Sequence, residues 1–322
     1  MTTVDDEQGF DERIAAYRAE LLAHCYRMLG SVHEAEDLVQ ETLLRAWRAR
    51  DQYDETRSSL RTWMYRIATN ACLTALASGK RRPLPSGLVA ESDPLRPFVP
   101  GHEVPWLQPL PDALLDAGDP ARTAVDRGSL RLAFMAALQH LSARQRAVLI
   151  LRDVLDFSAA ETAEIIGLTT IAVNSSLRRA RTSVQESGAD LEGRAEVTDA
   201  EQRAWIERYT TAFVTADVEG LKRLLADDVL MEMPPMLNWF VGKDAYGVFM
   251  ARIFEALGTD WRFVPLAANG QPGYAAYRGD GDRYELHTLQ LFEMSATGIT
   301  RTTVYQDEEV FASFGLAAVL EP

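Results

Sequence analysis

The sequence predicts a multidomain protein in which two all-α segments are followed by an α+β domain. Nine of the 14 prolines fall between residues 83 and 120, a density that argues against helices and central strands there. Apolar residues recur every three or four positions on both sides of this segment, which is typical of amphipathic helices. After residue 199, helical patterns are followed by strand-like runs, which indicates helices packed on a mostly antiparallel sheet.

These patterns divide the 322 residues into four parts. We expect a helical domain at 10–80, a proline-rich linker at 81–128, a second helical domain at 129–188 and an α+β domain at 199–322, called the tail below. Within the linker, Trp106 and Leu107 predict an interdomain anchor, because a buried Trp is a typical anchor. The alternative is that Trp106 packs only against its nearest domain.

Composition favours a soluble cytoplasmic protein over a membrane or secreted one. The chain is 47% hydrophobic and 25% charged, with a net charge of −14, which is ordinary for globular proteins. No run of 18 apolar residues predicts a membrane span, and the acidic N-terminus does not resemble a signal peptide. Cys25 and Cys72 lie in apolar helical patterns without metal-ligand spacing, which fits a reducing compartment.

Charge is distributed unevenly. Residues 45–82 carry 9 basic and 3 acidic residues, whereas residues 190–322 carry 11 basic and 22 acidic ones, a net charge of −11. A basic patch within an acidic chain predicts contact with nucleic acid in the first helical domain. The tethered acidic tail is also expected to contact the chain's own helical domains, since a short link keeps its local concentration high.

Two patterns mark the first helical domain. Gly30 and Ser31 predict the end of one helix and the N-cap of the next, which begins with acidic residues and ends with arginines. Beyond it, aromatic residues such as Trp47 and Trp63 alternate with arginines, a combination suited to single-stranded DNA. The alternative is that Trp47 and Trp63 are core residues.

A helix-turn-helix is predicted at 158–182. Ser158 and Glu161 have capping-box spacing, Gly167 suits the turn, and Val173 begins the apolar face of the second helix. That helix also carries polar and basic residues suited to base edges and phosphates: Asn174, Ser175, Arg178, Arg179 and Arg181. The alternative is a helical hairpin with a solvated arginine face.

Both helical segments together resemble the bacterial sigma-70 family, in its extracytoplasmic-function branch. The run AEDLVQETLLRAWRA with SSLRTWMYRIATNACL is similar to sigma region 2, and the run ALQHLSARQRAVLILRDVLDFSAAETAEIIGLTTIAVNSSLRRAR is similar to region 4. The resemblance implies a region 2 helical bundle and a region 4 helix-turn-helix. It also implies a sigma factor that directs core RNA polymerase to −10/−35 promoters and initiates transcription, with the polymerase β′ clamp and β subunits and promoter DNA as partners.

The resemblance assigns roles residue by residue. Docking on the β′ clamp is implied for Asp37, Leu38, Gln40 and Glu41. Recognition and melting of the −10 element is implied for Arg61, Trp63, Arg66 and Asn70, with the loop 51–59 holding a flipped base. Reading of the −35 element is implied for the five recognition-helix residues given above. Asn174 stands where a Lys or Arg is often found, which leaves the −35 sequence open.

The tail resembles the SnoaL-like branch of the NTF2-like cone fold, through WIERYTTAFVTADVEGLKRLLADDVLMEMPP and ITRTTVYQDEEVFASFGL. This implies a built-in regulator, which either occludes the DNA-facing surface or braces the two helical domains. Acidic shielding favours occlusion. Strand alternation predicts a pocket that includes His287, with Trp239 as a wall and Tyr305 from the last strand. An unidentified small ligand is therefore a further candidate partner.

Two other functions are weighed against this one. An NTF2-like enzyme fused to a DNA-binding module would need acid–base residues, yet His287 has no evident carboxylate partner, so we expect no catalytic residues, cofactor or metal. A free-standing repressor would not need the strand-melting pattern at 34–70. Both alternatives are therefore weaker than the sigma-factor hypothesis.

Overall fold

The computed structural model describes residues 3–79, 81–115, 128–186 and 198–321. The described residues form two compact units, which are treated separately below. The first unit lies within Met1–Arg82 and Leu107–Leu191, and the second lies within Pro83–Trp106 and Glu192–Pro322. None of the helices in the described ranges is both long and apolar enough to cross a bilayer.

The first unit is all-α. Its helices before the proline-rich segment are α1 (Thr3–Ala15), α2 (Arg18–Leu29), α3 (Val32–Arg48) and α4 (Leu60–Ala75). Those after it are α5 (Leu132–Leu138), α6 (Ala143–Leu149), α7 (Ala159–Ile166) and α8 (Thr170–Glu186). A π-helical turn at Ile150–Val154 continues α6.

Local sequence signals set the helix ends. Gly30 adopts a left-handed conformation (φ 72°) after α2, and the Ser31 side chain accepts a hydrogen bond from the Glu34 amide at the start of α3. Complete capping boxes begin α6, at Ser142, and α7, at Ser158. These side chains satisfy backbone N–H groups that have no partner inside the helix.

A buried arginine links the two helical segments within this unit. Arg146 on α6 is 2% exposed and donates hydrogen bonds to the carbonyls of Met28 and Leu141. Burial, with a smaller contribution from Arg81, lowers the pKa of Arg146 to about 10. It stays cationic at neutral pH, so α6 is held against the C-terminal end of α2 by charge-assisted bonds.

The second unit is α+β. Its helices are α9 (Asp199–Val214), α10 (Val218–Leu224), α11 (Lys243–Leu257) and α12 (Glu308–Ser313). Its strands are β1 (Leu225–Glu232), β2 (Trp239–Val241), β3 (Trp261–Ala268), β4 (Gln271–Asp280), β5 (Arg283–Ser295), β6 (Gly298–Tyr305) and β7 (Val319–Leu320). The sheet order is β2-β1-β6-β5-β4-β3, with β7 on β5, and β1 pairs with β6 in parallel while the other pairs are antiparallel.

The proline-rich segment divides between the two units. Residues 83–106, called the strap below, belong to the second unit, where Ser86 donates two hydrogen bonds to the buried Glu232 carboxylate (2.9 and 2.8 Å). Farther along, Gly101 donates to the Pro235 carbonyl. Leu107 begins the stretch that belongs to the first unit. Residues 116–127 of the predicted linker lie outside the described residues.

The predicted fold class, all-α segments followed by an α+β domain, is confirmed. Three short elements had no sequence prediction: β2, α12 and β7. Each has six residues or fewer, too few for a periodic pattern to be recognised.

Candidate nucleic-acid interface and tail cavity

Helix α3 presents an acidic and partly apolar stripe to solvent. Asp37 and Gln40 are exposed, whereas Leu38 and Glu41 are half-buried, and Arg45 pairs with Glu41 at 2.6 Å. Leu44 and Trp47 follow on successive turns of the same helix and are 46% and 40% exposed.

Trp47 is not a core residue, so the core alternative is wrong for this position. The guanidinium of Arg50 lies 4.6 Å from its ring centroid, an exposed cation–π contact. The buried positions of α3 are instead Val32, Ala35, Val39, Thr42 and Ala46, so Trp47 falls one position outside the buried stripe. Leu44 and Trp47 therefore extend the predicted polymerase-binding surface.

Trp63 is a core residue, as the alternative predicted. It is 6% exposed and packs in an aromatic cluster with Tyr53, at 5.2 Å between ring centroids, and Phe10, at 6.4 Å. Its ring therefore does not lie on the surface that α4 offers to DNA. The other three predicted −10 residues, Arg61, Arg66 and Asn70, project from α4.

Within the first unit, this face of α4 packs against the segment that leads into α7. Arg61 donates to the Leu155 carbonyl at 3.3 and 3.4 Å, and its guanidinium lies 4.4 Å from the Phe157 ring centroid. Tyr65, beside it on α4, meets Phe157 edge to face at 5.1 Å. The segment that leads into the helix-turn-helix thus covers the N-terminal half of the predicted −10 surface.

Contacts continue along α7 itself. Arg66 pairs with Glu164 at 3.4 Å, and the Asn70 amide donates to the Ile165 carbonyl at 3.4 Å. These polar contacts are long for N–H···O bonds, which are usually about 2.7–3.2 Å. Arg66 and Glu164 are also 40% and 43% exposed, and such exposed pairs contribute about 0–1 kcal/mol. The polar groups therefore contribute little to the packing of α7 on α4, which is called the closed arrangement below.

The recognition helix α8, unlike α4, presents its predicted DNA-contacting side chains to solvent. Val173, Ser176, Leu177, Ala180 and Val184 are buried. Asn174, Arg178, Arg179 and Arg181 are exposed, and Ser175 is half-buried. Gly167 in the turn adopts φ 66°, as the helix-turn-helix pattern predicts. The side chains predicted to contact the −35 element are thus already at the surface.

One arginine of this set has an intramolecular partner. Arg181 makes two hydrogen bonds to the Asp153 carboxylate (2.8 and 2.7 Å), and the bond raises the pKa of Arg181. Asp153 is 18% exposed, so the bidentate pair is partly shielded. Arg179 is held more loosely, through the Ser175 hydroxyl at 3.0 Å. Arg178 and Arg179 are the arginines of α8 best placed for DNA.

A buried histidine lies beneath α4. His24 shares a hydrogen bond between Nε2 and the Thr69 hydroxyl at 2.9 Å, and its ring packs against Tyr65. Burial, and then the charges of Arg27 and Arg61, lower the pKa of His24 to about 3. His24 is therefore neutral at physiological pH and supports α4 as an uncharged core group.

Trp106 and Leu107, the predicted interdomain anchor, fall on either side of the boundary between units. Trp106 is buried in the second unit and donates from its indole to the Gly101 carbonyl at 2.9 Å. Leu107 is fully buried in the first unit, and the next residue, Gln108, bonds to Gly30 and to the Ser31 side chain.

The tail contains a cavity of about 270 Å³. Its aromatic walls are Phe98, Phe213, Phe249 and Trp261, and four methionines line it further: Met231, Met233, Met236 and Met250. The polar side chains at its surface are His287, Thr288, Gln290 and Gln306. In the described chain, the lining contains no Asp, Glu, Lys or Arg.

Of the three predicted pocket residues, only His287 lines this cavity. The register of β4 with β5 shifts at this point: Thr288 pairs with Ala276 and Leu286 with Tyr277. The extra residue turns His287 to the same side as Thr288, which simple alternation does not predict. Tyr305 points to the other side from Val304, which is in the lining, and Trp239 instead donates to the strap's Val89 carbonyl.

A chain of buried hydroxyl groups ends at the cavity. Tyr246 and Tyr209 share a hydrogen bond, and Tyr274 donates to Gln290 Oε1 at 2.7 Å. Burial raises the pKa of Tyr209 to about 12, so it remains protonated. Burial and the nearby Arg278 lower the pKa of His287, which favours its neutral form. No cluster of three or more metal-ligating side chains is found in the described ranges.

Three sequence-family models match successive parts of the chain. Sigma-70 region 2 matches residues 13–82, sigma-70 region 4 matches residues 131–184, and a SnoaL-like domain matches residues 206–308. The matches follow the order predicted from the motifs and cover α2–α4, α5–α8 and most of the tail.

Whole-chain similarity extends over the same parts. The extracytoplasmic-function (ECF) RNA polymerase sigma factor SigG of Mycobacterium tuberculosis is 46% identical over 97% of this chain and 85% of its own length. A probable ECF sigma factor of that organism, SigI, is 27% identical over 81% of the chain and 82% of its own length. The crystal structure of M. tuberculosis SigJ has a similar fold, with a TM-score of 0.62 at 21% identity over 95% of this chain and 98% of its own. With its region 2, region 4 and SnoaL-like parts in this order, the chain belongs to the ECF RNA polymerase sigma factors.

Proposed function

We propose that this sigma factor docks on core polymerase through α3 and contacts promoter DNA through α4 and α8. The observation that carries the proposal is the pair of exposed surfaces in the first unit. One is the stripe of α3 that includes Asp37, Gln40 and Glu41, and the other is the basic face of α8. A core-docking surface together with a DNA-reading surface is what promoter-specific initiation requires.

The residue roles follow from the placement of each set. Leu38 adds an apolar contact to the acidic α3 stripe. Arg61, Arg66 and Asn70 act on the −10 element, while Trp63 supports them from the core. On α8, Asn174, Ser175, Arg178 and Arg179 read the −35 element, and Arg181 acts at its edge because Asp153 holds its guanidinium. The sigma factor acts in the cytoplasm, where bacterial polymerase works.

Promoter opening involves separation of α7 from α4. Contacts with Leu155, Glu164 and Ile165 restrict the approach of a DNA strand to Arg61, Arg66 and Asn70, although Asn70 itself is exposed. The long, partly exposed polar contacts add little to the cost of separation, which is set mainly by the burial of Phe157 and Ile165. Binding energy from core polymerase then shifts the equilibrium from the closed to the open arrangement.

The tail acts as a regulator of these steps rather than as an enzyme. Its net charge of −9 and its tether favour contact with the basic residues 45–82. The strap is part of this regulation. Its Ser86 is hydrogen-bonded to Glu232 of the tail, and the strap leads directly to Leu107 in the first unit.

Core pull-down and in vitro transcription with the full chain test the proposal. Glu41→Lys, which reverses a charge on the α3 stripe, should weaken core binding, whereas the same charge reversal at the exposed Glu12 on α1, Glu12→Lys, serves as the control. Tight binding of promoter duplex together with no detectable core binding by the unaltered chain would contradict the proposal.

A further inference from the structure

The cavity of the tail is a composite of two parts of the chain. Met231, Phe249 and Gln290 belong to the SnoaL-like part, within residues 206–308, whereas Phe98 belongs to the strap. The Phe98 ring meets Phe249 edge to face, with 5.9 Å between centroids, and 46% of Phe98 is exposed. Phe98 therefore stands at the cavity wall with one side toward solvent.

The strap is fixed on both sides of Phe98. The amide of Val99 donates to Asn238 Oδ1 at 2.7 Å, and Asn238 Nδ2 donates to the Pro97 carbonyl at 3.3 Å. Asn238 itself is 3% exposed. A buried amide that bonds to the residues before and after Phe98 holds that ring in a defined position.

The lining selects the chemistry of an occupant. Aromatic walls favour a flat molecule, and the flexible methionine side chains can adapt to its outline. The absence of charged side chains from the described lining disfavours an ion, because a buried charge without a partner is costly. The cavity of about 270 Å³ is near the lower end of ligand pockets, roughly 300–1,000 Å³.

One end of the cavity offers hydrogen bonds. Gln290 is 6% exposed, and the bond from Tyr274 to its Oε1 fixes the amide. His287, whose ring centroid is 5.4 Å from that of Trp261, lies on the same surface and adds a group that can donate or accept. A ligand with a single hydroxyl or carbonyl group finds its partners here.

We propose that this cavity binds a small, neutral, flat and mostly apolar molecule with one hydrogen-bonding group, and that Phe98 makes the strap part of the binding site. Ligand binding then holds the strap more firmly on the tail, and a firmly held strap increases ligand affinity by the same factor. The proposal concerns binding to the tail, so its test does not depend on the promoter roles given above.

Binding of 2-naphthol to the full chain, measured by titration calorimetry, is the first test. We expect one saturable site, and the charged analogue 2-naphthoate should bind roughly tenfold or more weakly because its carboxylate would be buried without a partner. Absence of saturable 2-naphthol binding, or equal binding of the two compounds, would overturn the proposal.

Two variants of α11 locate the site. Ile253→Trp fills the cavity and should abolish 2-naphthol binding, whereas Val248→Trp adds the same ring at a position of that helix that is 41% exposed and should leave binding unchanged. Binding that survives Ile253→Trp would place the probe elsewhere and overturn the assignment.

A second matched pair tests the strap without disturbing the core of the tail. Phe98→Ala should weaken 2-naphthol binding by about tenfold through lost apolar contact, and Leu95→Ala, at a strap residue that is 66% exposed, should not. Hydrogen exchange at the Val99 amide should also slow when 2-naphthol is bound. Equal affinities for the two strap variants, with Val99 exchange unchanged, would exclude the strap from the site.

Discussion

The two predicted promoter-reading surfaces, on α4 and on α8, are arranged differently within one unit. The α4 surface contacts Leu155, Phe157, Glu164 and Ile165, while Arg178 and Arg179 of α8 are exposed. The difference supports the proposal that −35 contact needs no rearrangement of the first unit, whereas full −10 contact, above all by Arg61, does. Under that proposal α8 engages duplex DNA first, and α4 acts after α7 has moved.

The largest effect is expected on the exposed surface. Arg178→Ala combined with Arg179→Ala should reduce transcription from a −35-dependent promoter by tenfold or more, since each good base contact contributes about 1–3 kcal/mol. Arg181→Ala is the matched control on the same helix, because Asp153 already holds Arg181. Run-off transcription with core polymerase provides the measurement, and equal losses in both variants would remove the distinction between these arginines.

The next largest effect is expected from acid, which should weaken the support that the buried His24 gives to α4. The folded-state pKa of His24 is about 3, below the unfolded value of about 6.5, so the unfolded chain binds more protons as pH falls. The contribution of His24 to stability is complete above about pH 6.5 and declines toward pH 3, by about 2 kcal/mol between pH 6.5 and 5.

Thermal unfolding of the full chain and of His24→Gln at several pH values isolates this contribution. The difference between the two stabilities should shrink as pH falls from 7 to 5, because the substituted glutamine amide has no proton to gain. A pH-independent difference would show that His24 is not buried in its neutral form.

A smaller effect is expected for the −10 residues. Arg66→Ala and Asn70→Ala should impair promoter opening by about fivefold, as expected for loss of a hydrogen bond worth about 1 kcal/mol, and leave core binding unchanged. Permanganate footprinting reports opening separately from core affinity. Unchanged melting would mean that Arg66 and Asn70 only contact α7 and play no part in promoter opening.

The smallest effect tests the closed packing alone. Glu164→Ala removes the partner of Arg66 without altering α4, and should raise the rate of opening by no more than about fivefold, given 0–1 kcal/mol for an exposed pair. Glu186→Ala, at the end of α8 and also exposed, is the control. Slower opening in Glu164→Ala would mean that Glu164 assists initiation rather than restraining it.

Sequence patterns predicted the parts of the molecule that depend on local chemistry. The left-handed Gly30, the caps at Ser31 and Ser158 and the turn at Gly167 are each determined within a few residues, and each was confirmed. Helix periodicity likewise predicted the buried side of α8, because every third or fourth residue faces the same neighbour.

The missed features depend on contacts between distant residues. Phe98 lies in a proline-rich run without periodicity, and its place at the cavity depends on Asn238, about 140 positions away in the chain. The β-bulge at His287 shifts the strand by one residue, which reverses the faces that alternation predicts. The pairing of Arg66 with Glu164 is equally non-local. For the strap, an apolar phenylalanine between prolines was a usable signal.

The most direct test of the account measures the separation of α7 from α4. Spin labels at Thr74→Cys on α4 and Thr169→Cys next to α7 occupy exposed positions, while the native Cys25 and Cys72 are buried and therefore protected from labelling. We expect a single short distance in the free chain and a longer one in the complex with core polymerase and promoter DNA. A short distance that persists in a transcriptionally active complex would contradict this expectation.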